Sequence, residues 1–399
     1  MVSIPCIILL FLNRRSVSPA LSRISIFGFL VIGWPQMAVF IIKFAGFTLG
    51  EFSFVAFRFL PAVIFGIGSY LLDKPKILRK EAFLYLVPAL IAIIYGFLDN
   101  QTYLYPIAWI ALALPYLFVS SKKIDRLTIR SIYSLSVQGI IALALGIAYI
   151  QPEKSFTSCR ADKCNILGIV FAPEGSQSNV ISLTLGLLVA LVDFKKSYFW
   201  ILTNSLCLIS IAEFTGGRSG TFAGMACLIS VLIFKITGGR TSGTYKVFLS
   251  SLFAFSLIPV LFTFNPASFT GRGSLWIIAK QYISESIFFG YGASFWLRLP
   301  ATNEIRANYS PHNIWLEIVV STGLFGLVSL CVAIFISLVR CDVNIRPFAL
   351  SLISGFFVAG FSEAIVIPYR LIITPGFFLV FICLTSARSH RNENKKLHD

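Results

Sequence analysis

The sequence predicts an all-α, polytopic helical integral membrane protein with about twelve transmembrane helices. Of its 399 residues, 57% are hydrophobic and only 13% are charged, more apolar surface than a water-soluble fold has use for. Several apolar runs approach 20 residues, the length of helix that crosses roughly 30 Å of hydrocarbon. The mean hydropathy of +0.83 agrees. A porin-like barrel is excluded, because its strands would be about 10 residues long and alternate in polarity.

The elements follow in order. The first apolar run, Ile4 to Leu12, is too short to span. It precedes Arg14 and Arg15 and lacks a small-residue cleavage site, so it reads as an interfacial N-terminal segment rather than a signal peptide. Spans are then expected at 24–43, 52–72, 82–98, 103–119, 131–150, 179–193, 197–213, 219–235, 246–264, 314–338, 347–367 and 370–386. All belong to a single transmembrane domain, 1–399.

Basic residues test that order independently, because cytoplasmic connections retain positive charge during insertion. Starting inside, alternate connections carry "DKPKILRKE", "SSKKIDRLTIR", "DFKKS", "KITGGRTSGTYK" and "RCDVNIR", then the tail "RSHRNENKKLHD". That side holds 22 of the 33 basic residues and the opposite side ten, with Arg58 inside a span. With seven acids inside and ten outside, net charge is +15 on one face and zero on the other. Both termini are therefore expected in the cytoplasm. The high pI is a topology signal and calls for no nucleic-acid partner.

Two outward connections are long. The first covers 151–178 and holds Cys159 and Cys164, which fit a small disulfide if the loop faces an oxidising compartment. The second, 265–313, is rich in aromatics, which argues against disorder. Residues 274–289 can form an interfacial helix with Trp276, Ile277, Ile283 and Ile287 on one side, a plausible lid.

Ionisable side chains at span ends are functional candidates, because charge near hydrocarbon is expensive. On the outward face these are Glu213 and Arg218, Arg272, His312 and Glu317, then Glu363 and Arg370. Bland readings stand beside them. Arg370 in "IPYR" fits headgroup snorkelling as well as a ligand role. Arg218 in "TGGRSG" has a counterpart in the inward "TGGR" at 237–240, and Glu213 and Glu317 fit interfacial or paired structural roles. His312 is harder to dismiss, since Pro311 and Asn313 fix it at the mouth of a helix.

The inventory includes no outward DxD motif, paired histidines or Cys/His cluster, so no tightly held metal is expected, and no cofactor. There is no Walker A motif either. A histidine can take a proton from a hydroxyl. Arginines can hold phosphate oxygens and stabilise a departing pyrophosphate, and an acid can orient the base or a sugar hydroxyl. Together these suit transfer of a group from a lipid diphosphate to an alcohol.

The stretch "SPHNIWLEIVVSTGLFGL" resembles the central motif of the O-antigen ligase and polymerase superfamily. "EFTGGRSGTFAG" and "TGRGSLWIIAKQYISESIFFGYG" precede it in the expected order, and "GFSEAIVIPYR" follows. The resemblance covers about 200–370, and the first half matches in topology alone. It implies a metal-independent, inverting membrane glycosyltransferase of the C-type architecture. Such an enzyme works on the periplasmic face of the bacterial inner membrane, with undecaprenyl-diphosphate-linked oligosaccharides as donor and acceptor. Carried over by position, Arg218 and Arg272 would bind the diphosphate and His312 would deprotonate the acceptor. Arg370 is a looser match, and Glu363 stands where aspartate is frequent. Asn313, Glu317 and Glu213 would support.

Polymerases and ligases share this core, and the long loops and twelve-span plan resemble a Wzy-type polymerase, which can work with a chain-length regulator. A ligase would instead join the glycan to lipid A-core. A lipid-linked glycan flippase is the reading from another class. It would need interrupted helices or symmetric halves, and Arg58 is its best feature.

Overall fold

The computed structural model describes residues 19–44, 51–73, 81–98, 104–117, 126–150, 152, 158–160, 163–165, 177–293, 295–298, 311–365, 367 and 375–385. In chain order the helices are α1 (Pro19–Phe44), α2 (Glu51–Asp73), α3 (Ala82–Leu98), α4 (Leu104–Leu117), α5 (Arg126–Ile150), α6 (Gln177–Leu188), α7 (Tyr198–Phe214), α8 (Arg218–Ile236), α9 (Gly243–Leu261), α10 (Ser268–Glu285), the one-turn α11 (Phe295–Arg298), α12 (Ile314–Arg340), α13 (Arg346–Gly360) and α14 (Pro375–Thr385). Each expected span overlaps one of these helices over its described residues. Among the described residues, five are long and apolar enough to cross a membrane: Arg23–Ile42, Arg126–Ile150, Arg218–Ile236, Gly243–Leu261 and Ile314–Arg340. The protein is a polytopic helical membrane protein, with shorter apolar helices beside those five.

Helix starts follow local chemistry. Ser197 caps α7 by accepting from Trp200 N, and Ser242 caps α9 by accepting from Tyr245 N. Helix stops are equally local. Both "TGGR" tetrapeptides begin with a C-cap threonine whose hydroxyl turns back on its own helix, Thr215 to Ala212 O and Thr237 to Ile233 O. Gly216, Gly238 and Gly239 then supply positive φ. The repeated motif is a helix-stop signal; only what its arginine does next differs. Arg218 opens α8, whereas Arg240 lies exposed in a connection.

The chain folds as two compact units, one from residues 1–73 and 122–239, the other from 74–121 and 240–399. In the first, α5 packs on α1 and α6 on α8. A Cβ on Gly186 would stand 2.0 Å from Gly220 O, so α6 and α8 touch backbone to backbone. The Ser182 hydroxyl bonds Gly217 O and fixes the turn just before Arg218. The strands β1 (Ser158–Arg160) and β2 (Lys163–Asn165) form an antiparallel pair in which Cys159 lies directly opposite Cys164.

In the second unit α3 packs on α12, joined by Tyr85 Oη to Ser337 Oγ at 2.8 Å and by an Arg340–Glu81 ion pair at 2.8 Å. Tyr245 Oη donates to Leu350 O, tying α9 to α13. Three elements differ from the sequence expectation. The helix in the second long loop runs 268–285, starting and ending earlier than 274–289. The α13 helix stops at Gly360, and a turn follows through 363. Most consequentially, α12 is interrupted at Gly323, whose φ of 65° and ψ of −171° suit essentially only glycine.

The break is filled by the second long loop. Tyr291 N and Gly292 N donate to Val320 O and Ser321 O at 2.8 and 3.0 Å. On the other side Leu324 N and Phe325 N donate to Ile287 O and Phe288 O at 2.8 and 3.2 Å. Two carbonyls and two N–H groups beside the break thus find partners, as an apolar medium requires. Tyr95 Oη on α3 donates to Gly290 O at 2.8 Å and holds the same segment. The anticipated lid is therefore anchored over residues 286–292, and an apolar cluster of Trp276, Ala279, Phe295, Trp296, Leu316 and Val320 binds it to the first turns of α12.

Candidate active site

The chain runs from Pro311 straight into α12, and the first turn of that helix decides where His312 points. Asn313 is the N-cap: its Oδ1 accepts from Trp315 N at 3.1 Å and Leu316 N at 3.0 Å. Its Nδ2 donates to Gly360 O at 3.0 Å, with Ser256 O and Phe361 O both at 3.3 Å. One wholly buried amide therefore ties the ends of α9 and α13 to the start of α12. Trp315 Nε1 adds a bond to Ser256 Oγ at 2.9 Å, and Trp276 Nε1 of α10 holds Pro311 O at 2.7 Å. Clamped on both sides, His312 adopts φ 50°, a left-handed conformation uncommon outside glycine.

That backbone turns the imidazole onto Glu363. His312 Nδ1 lies 3.0 Å from Glu363 Oε2, while Arg272 Nη2 donates to Glu363 Oε1 at 2.8 Å. One carboxylate thus bridges base and guanidinium, with a different oxygen for each. Glu363 is 1% exposed, whereas the side chains of His312 and Arg272 are 21% and 22% exposed. The acid is sealed beneath, and the imidazole and the guanidinium reach the surface. Burial pushes the Glu363 carboxyl up, but the His312 hydrogen bond and the Arg272 charge outweigh it and hold the group below the usual carboxylate value. An ionised Glu363 accepts the Nδ1 proton, which makes Nε2 the basic nitrogen.

The remaining sequence candidates fall as follows. Glu317 is completely buried in the first turn of α12, where a carboxylate suits the helix dipole, and Ser321 Oγ bonds it at 3.3 Å. It is a group inside the helix packing rather than at the surface. Glu213 and Arg218 lie in the first unit. Glu213 accepts from Thr221 Oγ1 at 2.7 Å, and Arg218, exposed, is the first residue of α8. Arg58 is buried between the rings of Phe54 and Phe59. Arg370 lies outside the described residues, as do the side chains of Cys159 and Cys164.

Trp276 and Ser256 are the positioning residues that sequence reasoning did not single out for the site. Pro259, three residues beyond Ser256 inside a membrane helix, is the local signal that carbonyls there need outside donors.

Residues 166–331 match the model of the O-antigen ligase family. Over that stretch, less than half of the 399-residue chain, the protein is similar to O-antigen ligases. The matched stretch contains Glu213, Arg218, Arg272, His312, Asn313 and Glu317, and ends before Glu363. No curated protein matches the chain. The similarity supports chemistry of the O-antigen ligase and polymerase type on a polytopic membrane scaffold.

Proposed function

We propose that this protein is an O-antigen polymerase that transfers a growing glycan from undecaprenyl diphosphate to a hydroxyl of a new lipid-linked repeat unit, on the periplasmic face. The observation that carries the reading is the Glu363 carboxylate held between Arg272 and His312. His312 Nε2 takes the acceptor hydroxyl proton as the oxygen attacks the anomeric carbon. The bond from that carbon to the diphosphate breaks on the opposite side, and undecaprenyl diphosphate leaves with the electron pair, so the centre inverts. Glu363 orients the imidazole and stabilises the imidazolium that forms.

Arg272 spends one of its five donors on Glu363 and keeps others for phosphate oxygens. Arg218, exposed at a helix N-terminus where backbone N–H groups also favour anions, and Arg370 are the further arginines that the sequence resemblance assigns to a diphosphate. Arg272 supplies cationic charge for the leaving group, so the reaction reads as metal-independent. The family's description as ligase favours one second reading, transfer of finished polymer to lipid A-core.

The test is the lipopolysaccharide banding of a deletion strain complemented with wild type or His312→Ala. Core plus one repeat unit, restored to a ladder by wild type alone, is the expected result. Bare core with polymer left on the carrier lipid would establish the ligase instead. A normal ladder from His312→Ala would end the general-base role.

A further inference from the structure

The first unit holds a second polar site, whose lining does not include Glu213 or Arg218. A cleft of about 550 Å³ opens between α1, α5 and the start of α7. Its α5 wall presents Arg130, Ser131, Ser134 and Gln138, a one-sided stripe at helical spacing inside a helix apolar enough to span. Polar side chains lining one face of a membrane helix mark a ligand or water path rather than lipid packing. Trp200 and Asn204 of α7 close the far side, where Tyr133 Oη donates to Asn204 Oδ1 at 3.3 Å and the Tyr133 and Trp200 rings lie 6.4 Å apart.

Charge and polarity identify the occupant. The carboxylate in the lining, Asp193, is 5% exposed and accepts from Lys195 N in its own turn. Arg130 makes no ion pair among the described residues. Arg23, Arg126, Lys195 and Lys196 flank the cleft in sequence, four cations against the single flanking acid Asp125. The stripe from Arg130 to Gln138 covers about 12 Å at 1.5 Å per residue, deeper than a headgroup alone. Leu127, Leu135, Val137 and Leu191 provide apolar wall beside it. A cation at the rim, hydroxyl and amide groups below it and apolar wall alongside match a phosphate, a glycerol ester and the first acyl carbons in turn.

We propose that this cleft binds an anionic glycerophospholipid of the inner leaflet, with Arg130 on the phosphodiester and Ser134 and Gln138 on the glycerol ester region. The assignment rests on the charge asymmetry that puts the N-terminus of α5 at the cytoplasmic face, and is independent of the glycan chemistry.

The experiment uses the full-length protein in nanodiscs of phosphatidylcholine containing a minority of phosphatidylglycerol, with retained lipid counted by native mass spectrometry. Wild type should keep phosphatidylglycerol preferentially, Arg130→Ala should lower that preference about fivefold, and Arg130→Lys should restore most of it. Ser134→Leu, which fills the cleft without touching charge, should lower it too and serves if Arg130→Ala does not fold. Equal retention by wild type and both variants would overturn the proposal. So would displacement of the lipid by millimolar glycerol phosphate, which would mark a site for a soluble phosphorylated ligand.

Discussion

Glu363 is one methylene longer than an aspartate, and the extra length matters here. Each of its oxygens serves one partner, His312 and Arg272, across separations of 51 and 91 residues. A carboxylate with its value held down is more easily ionised in the folded protein than in the unfolded chain. Its stabilising contribution is therefore complete above the ordinary glutamate value near 4.5 and is lost as pH falls through the lower folded value. Glu363→Gln should lower stability at pH 7 by about 2 kcal/mol, the scale of a charge-assisted hydrogen bond lost from a buried site. Thermal unfolding in detergent should show that deficit unchanged down to about pH 5 and shrinking below 4.5. A deficit equally large at pH 3 would mean that the carboxyl is not ionised in the fold. Turnover should drop by a factor on the order of 10² or more, since the imidazole keeps its place but loses its anionic orienter.

The interrupted α12 explains how a loop is made rigid enough to carry part of a site. Residues 287–292 enter the break with four backbone hydrogen bonds, and α10, which bears Arg272, immediately precedes them. A Cβ on Gly323 would stand 2.0 Å from Phe288 O, and the residue's dihedrals are already ones that other residues avoid. Gly323→Ala should therefore cost about 3 kcal/mol or more and release the segment, lowering activity even where protein still accumulates. Val328→Ala on the exposed face of the same helix should change both by little. A Gly323→Ala protein with wild-type melting and turnover would show that the interlock positions nothing. The sequence made some of this legible. Pro-His-Asn before an apolar run announced a capped helix, and Asn313 caps it. The break was not legible, because a lone glycine in an apolar run reads as tolerated; its meaning lies in the partner segment 287–292. The turn that carries Glu363 was likewise hidden in "AGFSEAIV", whose hydropathy continues past the end of α13 at Gly360.

Charge divides the whole molecule more sharply than any local motif does. A face with net +15 and another with net zero leave one orientation compatible with retention of positive loops. That orientation is the expected one, and it assigns the connections that bear Arg272, His312 and Glu363 to the neutral side. It also makes a chemical prediction about the β1–β2 pair. Cys159 and Cys164 are directly opposed in an antiparallel register, and opposed Cα atoms in such ladders lie about 4.5–5.5 Å apart, within the range a disulfide spans. In a periplasmic location they should be isolated as a disulfide, shown by a two-hydrogen mass deficit in the peptide that contains both. The same orientation can be read with added thiols in a variant lacking the native cysteines. Ser284→Cys, exposed on α10, should react with a membrane-impermeant maleimide on intact spheroplasts, and Lys195→Cys and Arg240→Cys only after lysis. Labelling of Lys195→Cys before lysis, with Ser284→Cys protected, would reverse the molecule in the membrane. It would remove the polymerase reading and the lipid assignment together, whereas a failed lipid assay alone would leave the polymerase reading standing.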